Sequence, residues 1–200
     1  MMDPTPELTI EFWDYMADRF DTIQEEKKGA VEIVIVATMM DAFKIMSKDV
    51  FMNDYTTTLA YPGYATIIYT NFKVGDGSSG RDLWTQMRTC VHENQHAFQA
   101  STGAIVFDER YLLDPAYRAF YEAHAYICNC EMDFWRTGQL QDATALGERL
   151  YSYACKKPDV DDAIATLKRL QDIVVQGGIV SESFRYAKLW LDQHPELKAA

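Results

Sequence analysis

A chain of 200 residues with 48% hydrophobic composition has enough apolar surface for one sizeable core, so a single domain is expected. A net charge of −11 argues against a nucleic-acid partner, because phosphate binding depends on neutralisation by Lys and Arg. No apolar run approaches the roughly 18 residues that span a bilayer, and Met1-Met2-Asp3-Pro4 opens no basic-then-apolar leader, so a cytoplasmic protein with no membrane partner is expected.

Thr5-Pro6 opens an amphipathic helix that uses Leu8, Phe12, Trp13, Met16, Phe20 and Ile23 and ends near Lys28-Gly29. Val31-Glu32-Ile33-Val34-Ile35-Val36 is a β-branched run of strand length, and Asp41 to Ser47 forms a short helix. The stretches Thr57 to Tyr61 and Tyr64 to Phe72 flank Pro62-Gly63 and predict a β-hairpin. Gly75 to Gly80 is glycine-rich but lacks the lysine of a phosphate loop, and is expected to be a flexible lead into the next helix.

That next helix is predicted from about Gly80 to Ala100. Ser79 followed by Asp82 resembles a capping box, and Leu83, Met87, Cys90, Val91, Asn94, Ala97 and Phe98 recur at helical spacing. Within it, His92-Glu93-Asn94-Gln95-His96 sets two imidazoles four residues apart, with Cβ atoms roughly 5–6 Å from each other on one face, so both rings can reach one ion. Zinc takes imidazole nitrogen, and a catalytic zinc site uses three protein ligands and leaves the fourth position for water. Glu93, about 100° round the helix from His92, is free to act on that water as general base. The apolar stripe centres between Leu83 and Asn94, so His92 and His96 fall on the opposite side with Thr85 and Thr89 and are expected to face solvent or a cleft.

A third ligand is expected from the following helix. Asp114-Pro115 supplies an N-cap and a first-turn proline, and the pattern runs through Arg136 to Gly138, with Ala116, Phe120, Ala123, Ile127, Cys130 and Phe134 as its core stripe. Glu122 and His124 are the candidate donors, and they diverge by about 200° around the helix, so only one can face the histidine pair. Glu122 is the better candidate because it shares its face with Arg118, Ala125, Asn129 and Asp133, a polar stripe whose small residue leaves room for a neighbouring helix.

These residues resemble the gluzincin branch of the zincin metallopeptidases: His92-Glu93-Asn94-Gln95-His96, then Glu122 in Glu122-Ala123-His124-Ala125-Tyr126, 26 positions after His96. With Gln99 the motif becomes H-E-x-x-H-x-x-Q, similar to small bacterial and phage zincin-like proteins. The resemblance covers about Ser79 to Arg136 and implies Zn²⁺ held by His92, His96 and Glu122. Many gluzincins place an aspartate four residues after the ligand glutamate to orient the first histidine. Tyr126 stands there in this chain, with Asn129 and Asp133 as candidate substitutes. The resemblance also implies that Tyr64 to Tyr69 borders the cleft as an edge strand able to hold an extended peptide.

The four cysteines have neither zinc-ribbon nor redox spacing and are expected to be buried structural thiols. After Gly138 three helices are predicted, Leu140 to Lys156, Val160 to Gln176 and Ser181 to His194, which would buttress the zinc-site pair; His194 is expected to be exposed. The expected architecture is one α+β, zincin-like domain over 1–200. It comprises an N-terminal helix and sheet (1–78), zinc-site helices (79–138) and a helical extension (139–200). The expected activity is a zinc metallopeptidase acting on a peptide or protein substrate, with Glu93 as base and Tyr111, Tyr117, Tyr126 or Arg118 as oxyanion donor. The alternatives are a binding or structural protein on the same framework, with or without zinc, and a metal-dependent hydrolase of another bond.

Overall fold

In the computed structural model the described residues are 2–28, 30–60, 65–103 and 107–199, of which 107–109 are described as backbone only. Helix α1 (Pro6–Phe20) starts as the sequence predicts, with Thr5 Oγ1 accepting from the Leu8 N–H at 3.2 Å, and buries Phe12, Trp13 and Met16. It stops earlier than expected, at Asp21 in the left-handed region with φ 51°. The polar stretch that follows becomes strand β1 (Thr22–Glu26), which has no apolar alternation and exists by parallel pairing with a later strand.

Val31–Ala42 is a helix, α2, where a strand was expected. The β-branched run continues into Ala37-Thr38-Met39-Met40, which lengthens it past strand size, and Ile33, Ala37 and Met40 are buried at helical spacing. The central position of the sheet is taken by Thr66–Thr70, between Thr22–Glu26 and Thr57–Leu59, and this segment packs as a helix instead of adding a strand. The short helix expected over Asp41 to Ser47 is instead a turn with Lys44 at φ 56°, followed by α3 (Lys48–Asp54) capped by Ser47. Strands β2 (Thr57–Leu59) and β3 (Thr66–Thr70) pair antiparallel as the hairpin predicted, while its turn at Pro62-Gly63 lies outside the described residues. The sheet order is β1-β3-β2. Strand β3 is therefore hydrogen-bonded on both sides and cannot take up an added peptide strand, which overturns the expectation for the Tyr64 to Tyr69 segment over Thr66 to Tyr69, while Tyr64 itself lies outside the described residues; β2 is the edge beside it.

Helix α4 (Leu83–Gly103) carries the histidine motif. Its start is capped by Asp82, which accepts from the Thr85 N–H at 2.8 Å, whereas the Ser79 hydroxyl turns back to the Asp76 carbonyl. Helix α5 (Phe107–Leu113) was not anticipated. Helix α6 (Pro115–Thr137) has both expected caps: Asp114 accepts from the N–H groups of Ala116 and Tyr117, and Gly138 closes the end at φ 70°. Its predicted core stripe holds at Ala123, Ile127 and Cys130 but fails at Ala116 and Phe120, which are exposed. The helix predicted over Leu140 to Lys156 divides into α7 (Ala143–Glu148) and a 3-10 turn (Arg149–Tyr153), ahead of α8 (Lys157–Val175) and α9 (Glu182–Leu191). Gly147 lets α7 and α8 close up, since a Cβ there would meet Ile164 Cγ1 at 2.3 Å.

The result is a mostly helical α+β chain in which α4 runs through the interior. Phe12, Met16, Met87, Cys90 and Trp190 pack α4 with α1 and α9. Gln95 Oε1 accepts from the Ser183 N–H at 3.1 Å, fixing the start of α9 to the motif, and Thr22 on β1 donates to Asn94 Oδ1 at 3.1 Å. Buried Glu131 on α6 accepts from the Val180 and Ser181 N–H groups, so the carboxy-terminal helices do buttress the site pair. No described helix is long and apolar enough to cross a membrane.

Candidate metal centre

Helices α4 and α6 bring His92, His96 and Glu122 together in the interior. His92 Nε2 lies 3.6 Å from Glu122 Oε2 and His96 Nε2 3.4 Å from Glu122 Oε1, and one donor atom from each residue falls within 4.8 Å of the others. The imidazoles stand edge to face, 4.9 Å apart at 81°. They do not face open solvent: the His92 side chain is 12% exposed and that of His96 9%, because α6 covers the face of α4 opposite its apolar stripe. Polar residues thus occupy an interior seam that apolar periodicity assigns to the outside. His124, the alternative donor, turns away and packs on the Phe120 ring at 4.5 Å, as a 200° divergence from Glu122 requires.

Gln99, three residues after His96, holds that ring in place. Its Oε1 lies 2.8 Å from His96 Nδ1, and its Nε2 donates to the Tyr121 carbonyl at 3.1 Å. A carbonyl can only accept, so the amide must present NH₂ to Tyr121 and oxygen to the imidazole. His96 Nδ1 therefore carries a proton, and Nε2 supplies the lone pair toward Glu122 when the ring is neutral. His92 has no equivalent: its buried Nδ1 lacks a hydrogen-bond partner among the described residues, as do Glu122 Oε2 and Asn129 Oδ1. Tyr126 sets its ring 5.4 Å from that of His92. Asp133 is engaged elsewhere, accepting from Trp84, Arg88 and Gln141, and does not serve the site.

Electrostatics tie the group together. Burial opposes the His96 cation, but the Glu122 carboxylate outweighs it and His96 is pushed up to about 9. Burial likewise opposes the Glu122 anion, and the two imidazoles hold it well below the ordinary carboxylate range. Two imidazole nitrogens and a carboxylate are a donor set for a first-row divalent ion, zinc and Fe²⁺ among them. The orphaned Oε2 of Glu122 and the converging Nε2 atoms fit such an ion taking the place of the His96 proton.

Beside two of the three donors lies a cavity of about 290 Å³ whose wall includes Glu93, His96, Tyr111, Glu122 and Tyr153. Glu93 is buried, and its Oε2 accepts from Thr58 Oγ1 on β2 at 2.8 Å. Nearby Lys27 is buried too, donating to the Phe51 carbonyl at 2.6 Å; burial draws its amine down to about 7, partly opposed by Glu93. Tyr111 donates to Glu122 Oε1 at 2.5 Å, so of the four oxyanion candidates it is the one hydrogen-bonded to this carboxylate. Tyr117 pairs with the Tyr121 ring, and Tyr126 packs on His92. Arg118 is a buried clamp that donates to the backbone carbonyls of Tyr111, Leu112 and Tyr153, fixing two walls of the cavity. Thr58 and Lys27 carry no sequence signal for these contacts, since each depends on another element. All four cysteines are free and buried, as expected. No protein-family model matches this chain, and no curated protein or solved structure does either.

Proposed function

We propose that this protein is a zinc-dependent hydrolase of the zincin type, a metallopeptidase whose ligands are His92, His96 and Glu122. The observation that carries the proposal is the convergence of these three donors beside a cavity whose wall includes Glu93, His96 and Glu122. A bound zinc ion would supply Lewis acidity toward a carbonyl oxygen and lower the pKa of water to about 7. The protein's own part follows from its contacts. Gln99 keeps the proton on His96 Nδ1 and so leaves Nε2 free to bind. Glu93, held at Oε2 by Thr58, takes one proton from water and delivers it to the departing amine nitrogen. Water's hydroxyl ends on the carbonyl carbon as the C–N bond breaks. Tyr111 can turn its hydroxyl from Glu122 toward the carbonyl oxygen where negative charge grows.

A second reading is a non-catalytic protein on the same framework. It is favoured by the His96–Glu122 ion pair and the Tyr111 hydrogen bond, which satisfy part of the site internally, and by Tyr126 in the place of an orienting carboxylate. Zinc-loaded wild type and Glu93→Gln incubated with a diverse peptide library separate the two. Cleavage by wild type alone supports the hydrolase, and no cleavage at full zinc occupancy supports the binding protein.

A further inference from the structure

Helix α2 is apolar on two opposite faces. Ile33, Ala37 and Met40 are buried against α3 and the sheet, while Val31, Ile35, Met39 and Phe43 recur every fourth residue on the other side and are 70, 56, 37 and 49% exposed. Residues four apart share a helix face, so these four form one stripe, about 18 Å long at 1.5 Å per residue. Single exposed apolar residues need no explanation, but a contiguous stripe marks a contact surface. Met39 belongs both to this stripe and to the wall of the cavity that holds His96, Glu93 and Glu122, so the outer face runs into the candidate site without a polar break.

The cavity's size limits what enters it. About 290 Å³ is the room of roughly ten waters at about 30 Å³ each, enough for one large side chain and adjoining backbone. Away from the metal ligands its wall is apolar and rich in methionine, with Met39, Met40 and Met46 beside Val36 and Leu59. Unbranched methionines adapt to many shapes, so such a wall selects apolar bulk rather than one side chain.

We infer that the substrate is an extended peptide segment carrying a run of bulky apolar residues, one seated in the cavity and its neighbours along the Val31–Ile35–Met39–Phe43 stripe. This inference rests on the hydrolase reading above. At about 3.3 Å per residue, five or six extended residues cover the stripe. Runs of that composition are buried in folded proteins, so the segment is recognised in an unfolded or incompletely folded chain.

The test uses zinc-loaded Glu93→Gln protein, which should bind without turnover, and two fluorescein-labelled decapeptides. One is Lys-Gly-Leu-Phe-Val-Leu-Ile-Ala-Gly-Lys and the other replaces Leu, Phe, Val, Leu and Ile by Ser. The apolar peptide should bind at least tenfold more tightly, and adding Ile35→Asp or Phe43→Ser, both at exposed positions, should remove most of that difference with circular dichroism and zinc stoichiometry unchanged. Equal affinity for the two peptides would overturn the inference. So would a dimer in sedimentation that Ile35→Asp dissociates, or flotation of wild type with phosphatidylcholine vesicles, because the stripe would then have another occupant. Tight binding without cleavage by wild type would sink the hydrolase reading and leave the docking inference standing, whereas equal cleavage of both peptides would do the reverse.

Discussion

Replacing Gln99 by Ala tests how the site prepares its ligands. The substitution removes the acceptor on His96 Nδ1 and the donor to the Tyr121 carbonyl, both inside the α4–α6 seam. The imidazole can then rotate or take the other tautomer, which puts its proton on the nitrogen that should bind metal. Loss of such a partner costs roughly 10–100-fold in metal affinity, equivalent to about 1.4–2.8 kcal/mol at tenfold per 1.4 kcal/mol. The orphaned Nδ1 also costs the metal-free protein about 1–3 kcal/mol, and at about 2–4 °C per kcal/mol for a chain of this size its Tm should fall by several degrees. Chelator competition at pH 7.4 measures the first effect and thermal unfolding without metal the second. Zinc affinity within twofold of wild type would refute the role given to Gln99, and a Tm drop with unchanged affinity would make Gln99 a packing residue only.

Glu122→Ala should abolish stoichiometric zinc binding while His124→Ala keeps it, read by metal analysis of the purified variants, because only Glu122 faces the histidines. Zinc affinity should rise about tenfold per pH unit and level off near pH 9, since loading expels the proton that Glu122 holds on His96; chelator competition between pH 6 and 10 checks this, and a flat profile would contradict it. Without metal the pH dependence has the opposite sign on the alkaline side. The raised His96 contributes stability that is complete below about 6.5 and lost as pH rises through about 9, while the lowered Glu122 contributes stability present above about 4.5 and lost in acid, so denaturant midpoints should peak between these limits. Arg118→Met should cost at least about 2 kcal/mol in urea unfolding by leaving buried carbonyls of Tyr111, Leu112 and Tyr153 unpaired; a change under 0.5 kcal/mol would remove its clamp role.

The parts of this chain legible in its sequence are those fixed by local chemistry. Asp114-Pro115 and Gly138 mark the two ends of α6 because a cap needs only its own neighbours, and the four-residue spacing of His92 and His96 sets their shared face whatever surrounds them. Helical rotation separates Glu122 from His124, and the polar stripe with small Ala125 on the Glu122 face decides between them. What depends on distant contact was lost. Polar Thr22–Glu26 is a strand only because β3 pairs with it, and Val31–Ala42 is a helix that buries Ile33, Ala37 and Met40 at helical spacing, against its β-branched composition. The burial of the histidines escaped apolar periodicity because α6 brings a polar stripe of its own to cover them. Gln99 was visible at the third position after His96, but nothing local shows that its amide is fixed by a carbonyl on another helix.

Whether His92, His96 and Glu122 hold one metal ion is tested most directly by native mass spectrometry of protein titrated with zinc, with Glu122→Ala and His96→Ala beside wild type. One zinc per wild-type chain at submicromolar free metal, and none in either variant at the same concentration, is the predicted result. Wild type left empty at micromolar zinc, or variants that load like wild type, would contradict it.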